Sequence, residues 1–505
     1  MRFASLIVEL IRARPRLVFW VAVLAQALLW LIVPALFYGS PPDDVAATLA
    51  FGHQYQVGSE LGPPLAFWLA DVAFTLAGGH IIGVYLLAQI CFVVAFAALF
   101  ALGRRVVGGQ HAVIAVLLTQ TVLAFSFPWV AFGPQILACP IWALILMHGW
   151  QVIGQGSRSA WFALSIEAGL LLLTVDAAPL LLLLLFAFAL ATAAGRRTLR
   201  SVDPLFSLLV IVVLVTPYLA WRLRAGDMGL PVSPMRDLGE AARQWGWLLG
   251  SLALAVSGIA VLLAFNAAWV QRLIVRGRET APTVFRPPVG DLARRYVYFF
   301  ALAPALLGTV VAALYEKPEV VGGAGIALLL SGLAVVVAGD DIIQLRRQQV
   351  LRTVWLLAIG APAAAIAVVA LVQPWLSAKE IRTSLPAGAI ARFYGDSFQR
   401  RTNRPLPAVA GDRELALLIA LGAARPQPLL LPRPAQGPWL TPARLGEQGG
   451  VVVWRAADTS GSVPPEIAKQ FPGLVPEVPQ SFDRLVDGRL PPVRIGWAIV
   501  RPKMP

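Results

Sequence analysis

Residues 38–80 read YGSPPDDVAATLAFGHQYQVGSELGPPLAFWLADVAFTLAGGH, and this stretch lies between two long apolar runs, 17–37 and 81–102. It carries Asp43, Asp44, Glu60 and Asp71, two proline pairs, and no Lys or Arg. Apolar runs of this length match the roughly 20 residues that cross a bilayer. The basic residues between later runs crowd onto alternate loops. Arg104, Arg105, Arg158, Arg196, Arg197 and Arg200 begin the series; Arg272, Arg276, Arg278, Arg286, Arg294, Arg295, Arg346, Arg347 and Arg352 continue it. Loops rich in Arg stay in the cytoplasm, so the loop that has none belongs on the other side of the membrane.

Working outward, the chain is 58% hydrophobic and only 13% charged, against about 25% charged in soluble domains. Apolar runs at 17–37, 81–102, 111–127, 135–153, 161–175, 178–194, 204–221, 245–270, 296–315, 320–339 and 353–373 predict a polytopic α-helical membrane protein of about 11 spans. The amino terminus is basic and its first apolar run ends in no small-residue cleavage site, which reads as an uncleaved span with the terminus inside. The facing loops hold only Arg222, Arg224, Arg236, Arg243 and Lys317. An odd number of spans then puts everything after Trp375 outside.

The net charge of +14 comes from these loop-anchoring arginines. No interleaving of basic and aromatic residues suited to stacking bases accompanies it, so nucleic acid is not an expected partner. Cys91 and Cys139 both fall inside apolar runs and read as small buried hydrophobes.

Two parts are expected: a membrane module over 1–374 and an outer domain over 375–505. In the second, apolar runs shrink to strand length. Strands are expected at 407–412, 429–432, 451–455 and 493–500, and helices at 414–422, at 442–448 capped by Thr441, and from Pro464. That alternation predicts a small α/β domain.

The loop at 38–80 divides in two. Pro41-Pro42 breaks the chain, and Asp43 or Asp44 can cap a helix reaching about Tyr55, with Asp44, Thr48, Phe51 and Tyr55 on one face. Pro63-Pro64 opens a second helix whose Leu65, Phe67, Trp68, Leu69 and Phe74 suit the membrane interface. Two amphipathic helices lying at headgroup depth beside carboxylates fit a lipid substrate.

The order PPDDVAATLAFGHQYQVG…GPPLAFWL resembles the first periplasmic loop of the GT-C superfamily of membrane glycosyltransferases. Within it, the resemblance is to bacterial relatives of protein O-mannosyltransferases and lipid A aminoarabinose transferases. FGPQILACPIWAL (132–144), GLLLLT (169–174) and VAGDRELA (409–416) extend it over nearly the whole chain. The resemblance implies an inverting glycosyltransferase of the bacterial inner membrane. It would use an undecaprenyl-phosphate-linked sugar donor and a lipid or envelope polysaccharide acceptor on the periplasmic side. The family's first-loop aspartate maps onto Asp44, with Asp43 adjacent.

Sugar transfer from a polyprenyl phosphate needs a carboxylate to take the proton of the acceptor hydroxyl, and a positive or hydrogen-bonding group at the departing phosphate. Asp44 is the expected base and Asp43 the alternate. Arg222 and Arg224, directly after a span, are candidates for the phosphate, against the plainer reading of arginines snorkelling to the interface. Tyr55, Glu60 and Asp176, between two apolar runs, are further substrate-binding candidates. Asp71 is the remaining acid in the loop. His53 and Glu60 are candidate ligands for a divalent ion, as in some relatives; with four histidines in the chain, no dedicated metal site is expected. The sequence departs from the family at Gly62, where many relatives carry Lys or His, at Ala47 in place of a second acid, and at Val175 in place of lysine. These departures keep open a second reading, a polyprenyl-lipid-binding protein that has lost catalysis.

Overall fold

The computed structural model describes the chain except residues 1–2, 59–60, 128, 225–236, 268–282, 340, 346–347, 378–379, 423, 432–438, 457–458, 487 and 503–505, and except the side chains of 3–7 and 43. Glu60, the Asp43 side chain, and Arg236, Arg272, Arg276, Arg278, Arg346 and Arg347 therefore lie outside the described residues. Among the described residues, six helices are long and apolar enough to cross a membrane: Pro15–Phe37, Ile82–Val107, Pro134–Gln155, Asp203–Arg224, Asp291–Leu314 and Gln348–Leu376. Two bent pairs, Ala178–Ala191 with Ala193–Leu199 and Leu238–Ala255 with Ser257–Asn266, raise the number to eight if each is one span. The protein is a polytopic α-helical membrane protein with six to eight such spans and a small β-containing carboxyl-terminal region.

Contacts divide the chain into two compact units. The first comprises residues 1–30, 88–129 and 134–364; the second comprises 31–87, 130–133 and 365–505.

The first unit is built from packed apolar helices. Trp142, Phe188, Tyr296 and Phe300 interlock at its centre with ring centroids 4.7–6.0 Å apart. The Tyr296 hydroxyl is fully buried and donates to the Leu146 carbonyl at 2.7 Å, which removes the cost of hiding it. Arg286, buried, is held by Asp341 at 3.0 Å and by the carbonyls of Val336 and Gly339.

In the second unit, α1 (Asp43–Gly52) and α2 (Leu65–Leu76) form the first loop. They are followed, after the last long helix, by α3 (Ala387–Thr402), β1 (Ala408–Asp412), α4 (Arg413–Ala420), β2 (Gln427–Leu431), α5 (Pro442–Gln448), β3 (Gly450–Arg455), α6 (Pro465–Gln470), β4 (Gln480–Phe482) and β5 (Val493–Val500). The sheet order is β2-β1-β3-β5-β4, with β1 parallel to β2 and β3, and β5 antiparallel to β3 and β4. Parallel pairing needs crossovers, which α4 and α5 supply. Asp412 ends β1 and its carboxylate accepts from the amides of Glu414 and Leu415; Thr441 caps α5 through the Arg444 amide as expected. Gly411 has φ +127° and an added Cβ would sit 1.8 Å from the Val453 carbonyl oxygen, so no other residue fits there. Ala46, Ala47, Ala50, Phe51 and Phe67 of the first loop belong to the same hydrophobic core as Leu415, Val452 and Trp497.

Two local expectations were off. Pro42 occupies the N-cap of α1, so Asp43 and Asp44 are its first two helical residues rather than its cap; proline at that point fixes the chain direction without a side-chain acceptor. Tyr55 lies beyond the end of α1, in a turn, so it does not continue the face of Asp44, Thr48 and Phe51.

Candidate functional site

Asp44 sits in the first turn of α1 and is exposed, while Val45, Ala46 and Ala47 behind it are buried. A carboxylate there is favoured by the unpaired amides and the positive end of the helix dipole. One turn on, the buried Thr48 hydroxyl donates to the Asp44 carbonyl at 2.6 Å. This end of α1 presents a carboxylate to solvent from a rigid, core-anchored helix.

α1 and α2 touch at Gly52, where a Cβ would come within 2.1 Å of the Phe67 carbonyl oxygen. Past Gly52 the chain turns through His53, Gln54 and Tyr55, and Tyr55 takes a left-handed φ of 47°. That conformation, uncommon outside glycine, points its hydroxyl at Asp71: Oη donates to Oδ2 at 2.7 Å. Asp71 is 2% exposed. Its other oxygen takes the guanidinium of Arg425, and His53 Nδ1 stands 3.6 Å away.

Arg425 also has a left-handed φ, 45°. Its guanidinium lies 4.8 Å from the Phe74 ring centroid and 3.4 Å from the Leu49 carbonyl, so it reaches both first-loop helices. Gln427, two residues on, donates to Gln54 at 2.9 Å, and Trp439 meets Phe51 edge-on at 4.7 Å. The bond to Asp71 raises the Tyr55 hydroxyl above its ordinary pKa. Burial, then the charge of Arg425, lowers His53 and favours its neutral form.

In the first unit, Asp176 lies in the turn between helices Ser159–Leu172 and Ala178–Ala191, and Arg222 lies in the last turn of helix Asp203–Arg224. Their charged groups are 3.6 Å apart, with side chains 64% and 31% exposed. Two candidates chosen separately from the sequence are thus brought together. Arg224, two residues on, is exposed.

Sequence reasoning missed Arg425. Its only signal is an arginine placed before proline after a helix end, in the run AARP. Among the described residues no group of three or more His, Cys, Asp or Glu could hold a metal ion. Cys91 and Cys139 are buried and unbridged.

Residues 62–221 match the family model described as dolichyl-phosphate-mannose-protein mannosyltransferase. The chain is similar in structure to ArnT from Cupriavidus metallidurans bound to undecaprenyl phosphate, with a TM-score of 0.62, 13% identity, and coverage of 95% of this chain and 97% of that one. It is also similar to a mutant of arabinofuranosyltransferase AftD from mycobacteria, with a TM-score of 0.51 and 14% identity, over 96% of this chain and 41% of that one. No curated protein matches by sequence. The chain has the fold of the GT-C superfamily of membrane glycosyltransferases.

Proposed function

We propose that this protein transfers a sugar from a polyprenyl-phosphate donor, undecaprenyl phosphate being the carrier, to a lipid or envelope polysaccharide acceptor at the periplasmic face of the inner membrane. Its likeness to a structure of ArnT bound to undecaprenyl phosphate, over nearly the full length of both chains, is the observation that carries this reading. Asp44 is proposed as general base on the resemblance of the first-loop motif PPDD. Asp44 takes the acceptor hydroxyl proton as that oxygen attacks the anomeric carbon. The bond from that carbon to the phosphate oxygen breaks on the opposite face, the electron pair leaves with polyprenyl phosphate, and the configuration inverts. Arg222 and Arg224, at the end of helix Asp203–Arg224, are separate candidates for binding a phosphate, chosen for their charge and their place at a helix end. Asp176 pairs with Arg222 at 3.6 Å and would compete with an anion for that guanidinium. Asp43 is the alternate base.

Eleven crossings follow if helices Ser159–Leu172 and Ala324–Ala338 and the segment 109–126 also span, with the amino terminus inside and the carboxyl-terminal region outside. The departures at Gly62 and Val175 favour one alternative, a polyprenyl-lipid-binding protein without catalysis. Mass spectrometry of envelope glycolipids and polysaccharide in cells lacking the protein, complemented with wild type or Asp44→Asn, separates the two. The transferase reading requires a glycan that wild type restores and Asp44→Asn does not. If wild type restores none while purified protein binds undecaprenyl phosphate, the alternative stands.

A further inference from the structure

The cluster around the buried Asp71 is not needed to explain the proposed chemistry, and it is an odd way to stabilise a fold. Replacing a buried ion pair by well-packed apolar groups is often neutral or favourable, so the pair is weak evidence of a stabilising role. Here the cost is greater still. Among the described non-glycine residues only Tyr55, Glu316, Asn403 and Arg425 have positive φ, and two of these four converge on one carboxylate. Arg425 Nε is buried with no hydrogen-bond partner. Strain and an unsatisfied donor gathered on one carboxylate point to a function beyond stability.

We propose that Asp71, Arg425 and Tyr55 form a positioning clamp that fixes the first loop, and with it the helix presenting Asp44, against the carboxyl-terminal α/β region. The geometry explains how. Arg425 lies two residues before the edge strand β2, so the chain just beyond it is anchored in the sheet. Its guanidinium grips α2 through Asp71 and Phe74 and faces the Leu49 carbonyl of α1. Tyr55 ties the turn that leaves α1 to the same carboxylate. One side chain from residue 425 therefore sets the register of both loop helices. These are positioning residues; none is assigned contact with substrate. The inference rests on the transferase reading only for its product measurement.

Its test uses the full-length protein in nanodiscs and the same complemented cells, with Asp71→Asn, Arg425→Gln, the double variant and Tyr55→Phe. Amide hydrogen exchange over 43–56 should accelerate at least tenfold in each single charge variant and severalfold in Tyr55→Phe, while amides of β1 and β3 stay within threefold of wild type. Binding of undecaprenyl phosphate should change less than threefold, and product should fall at least tenfold. Because both groups act through one contact, the double variant should be no more than threefold worse than the worse single. Unchanged exchange over 43–56, or losses that multiply in the double variant, would overturn the clamp. If Asp71→Asn and Arg425→Gln unfold the sheet, Tyr55→Phe decides: it removes one hydroxyl and no charge, and an unaltered loop in that variant overturns the proposal. Accelerated exchange in a protein whose wild type makes no product supports the clamp and removes the transferase reading.

Discussion

Gly52→Ala perturbs the contact on which the orientation of α1 depends. An added Cβ would lie 2.1 Å from the Phe67 carbonyl oxygen, 2.9 Å from its carbon and 3.2 Å from Asp71 Cβ. Two of these atoms are backbone, so no rotamer change relieves the clash, and α1 and α2 must separate by roughly 1 Å to restore ordinary contact. Alanine in place of glycine gains at most about 1 kcal/mol of helix propensity, and less at the last residue of a helix. Overpacking costs about 1–3 kcal/mol. Overpacking wins, for a net loss of about 1–2 kcal/mol in the second unit. A shift of about 1 Å in a positioned group can cost on the order of 100-fold in rate, so transfer should fall by about 10- to 100-fold. Thermal unfolding in nanodiscs and glycan mass spectrometry of complemented cells measure the two effects. Gly395→Ala is the control: it lies mid-way along α3 with open space where the Cβ goes, and should gain about 0.5–1 kcal/mol with transfer unchanged. Wild-type stability and transfer in Gly52→Ala would refute the claim that this contact sets the base.

Asp176→Asn should tighten undecaprenyl phosphate binding by no more than about fivefold, because an ion pair this exposed is worth about 0.2–1 kcal/mol; Arg222→Gln should weaken it at least tenfold. Titrations in nanodiscs at two salt concentrations measure both, and weaker binding by Asp176→Asn would show that Asp176 orients Arg222 rather than competing for it. Since burial and Arg425 lower the folded-state pKa of His53, the opened loop binds its proton more tightly than the closed one. Opening of 53–56 should therefore be flat above pH 6.5 and grow as pH falls below it, toward the lowered folded value. Hydrogen exchange corrected for intrinsic rates at pH 7.5 and 5.5 tests this; His53→Gln should abolish the difference.

The membrane class and the order of the tail were legible because period and length carry them. Strand β5 falls at 493–500 as expected, and Thr441 caps α5. Helix α3 went unread because AGAIARFYGDSFQRRT follows a proline and carries three small residues at its start, and β4, with three residues, is too short to show alternation. At the site, Asp71 was legible in the sequence only as the remaining acid of the first loop. Its partner Arg425 is 354 positions away. Neither propensity nor spacing links residues so distant; only the fold of the second unit does. Tyr55 was expected on the face of α1, and a left-handed turn after Gly52 carries it to Asp71 instead.

The general-base role of Asp44 is tested most directly by glycan product in cells complemented with Asp44→Asn, alongside undecaprenyl phosphate binding by the purified variant. Loss of a general base typically costs about 10²- to 10⁴-fold, so product should become undetectable while binding stays within threefold of wild type. Product at the wild-type level in Asp44→Asn would contradict the account.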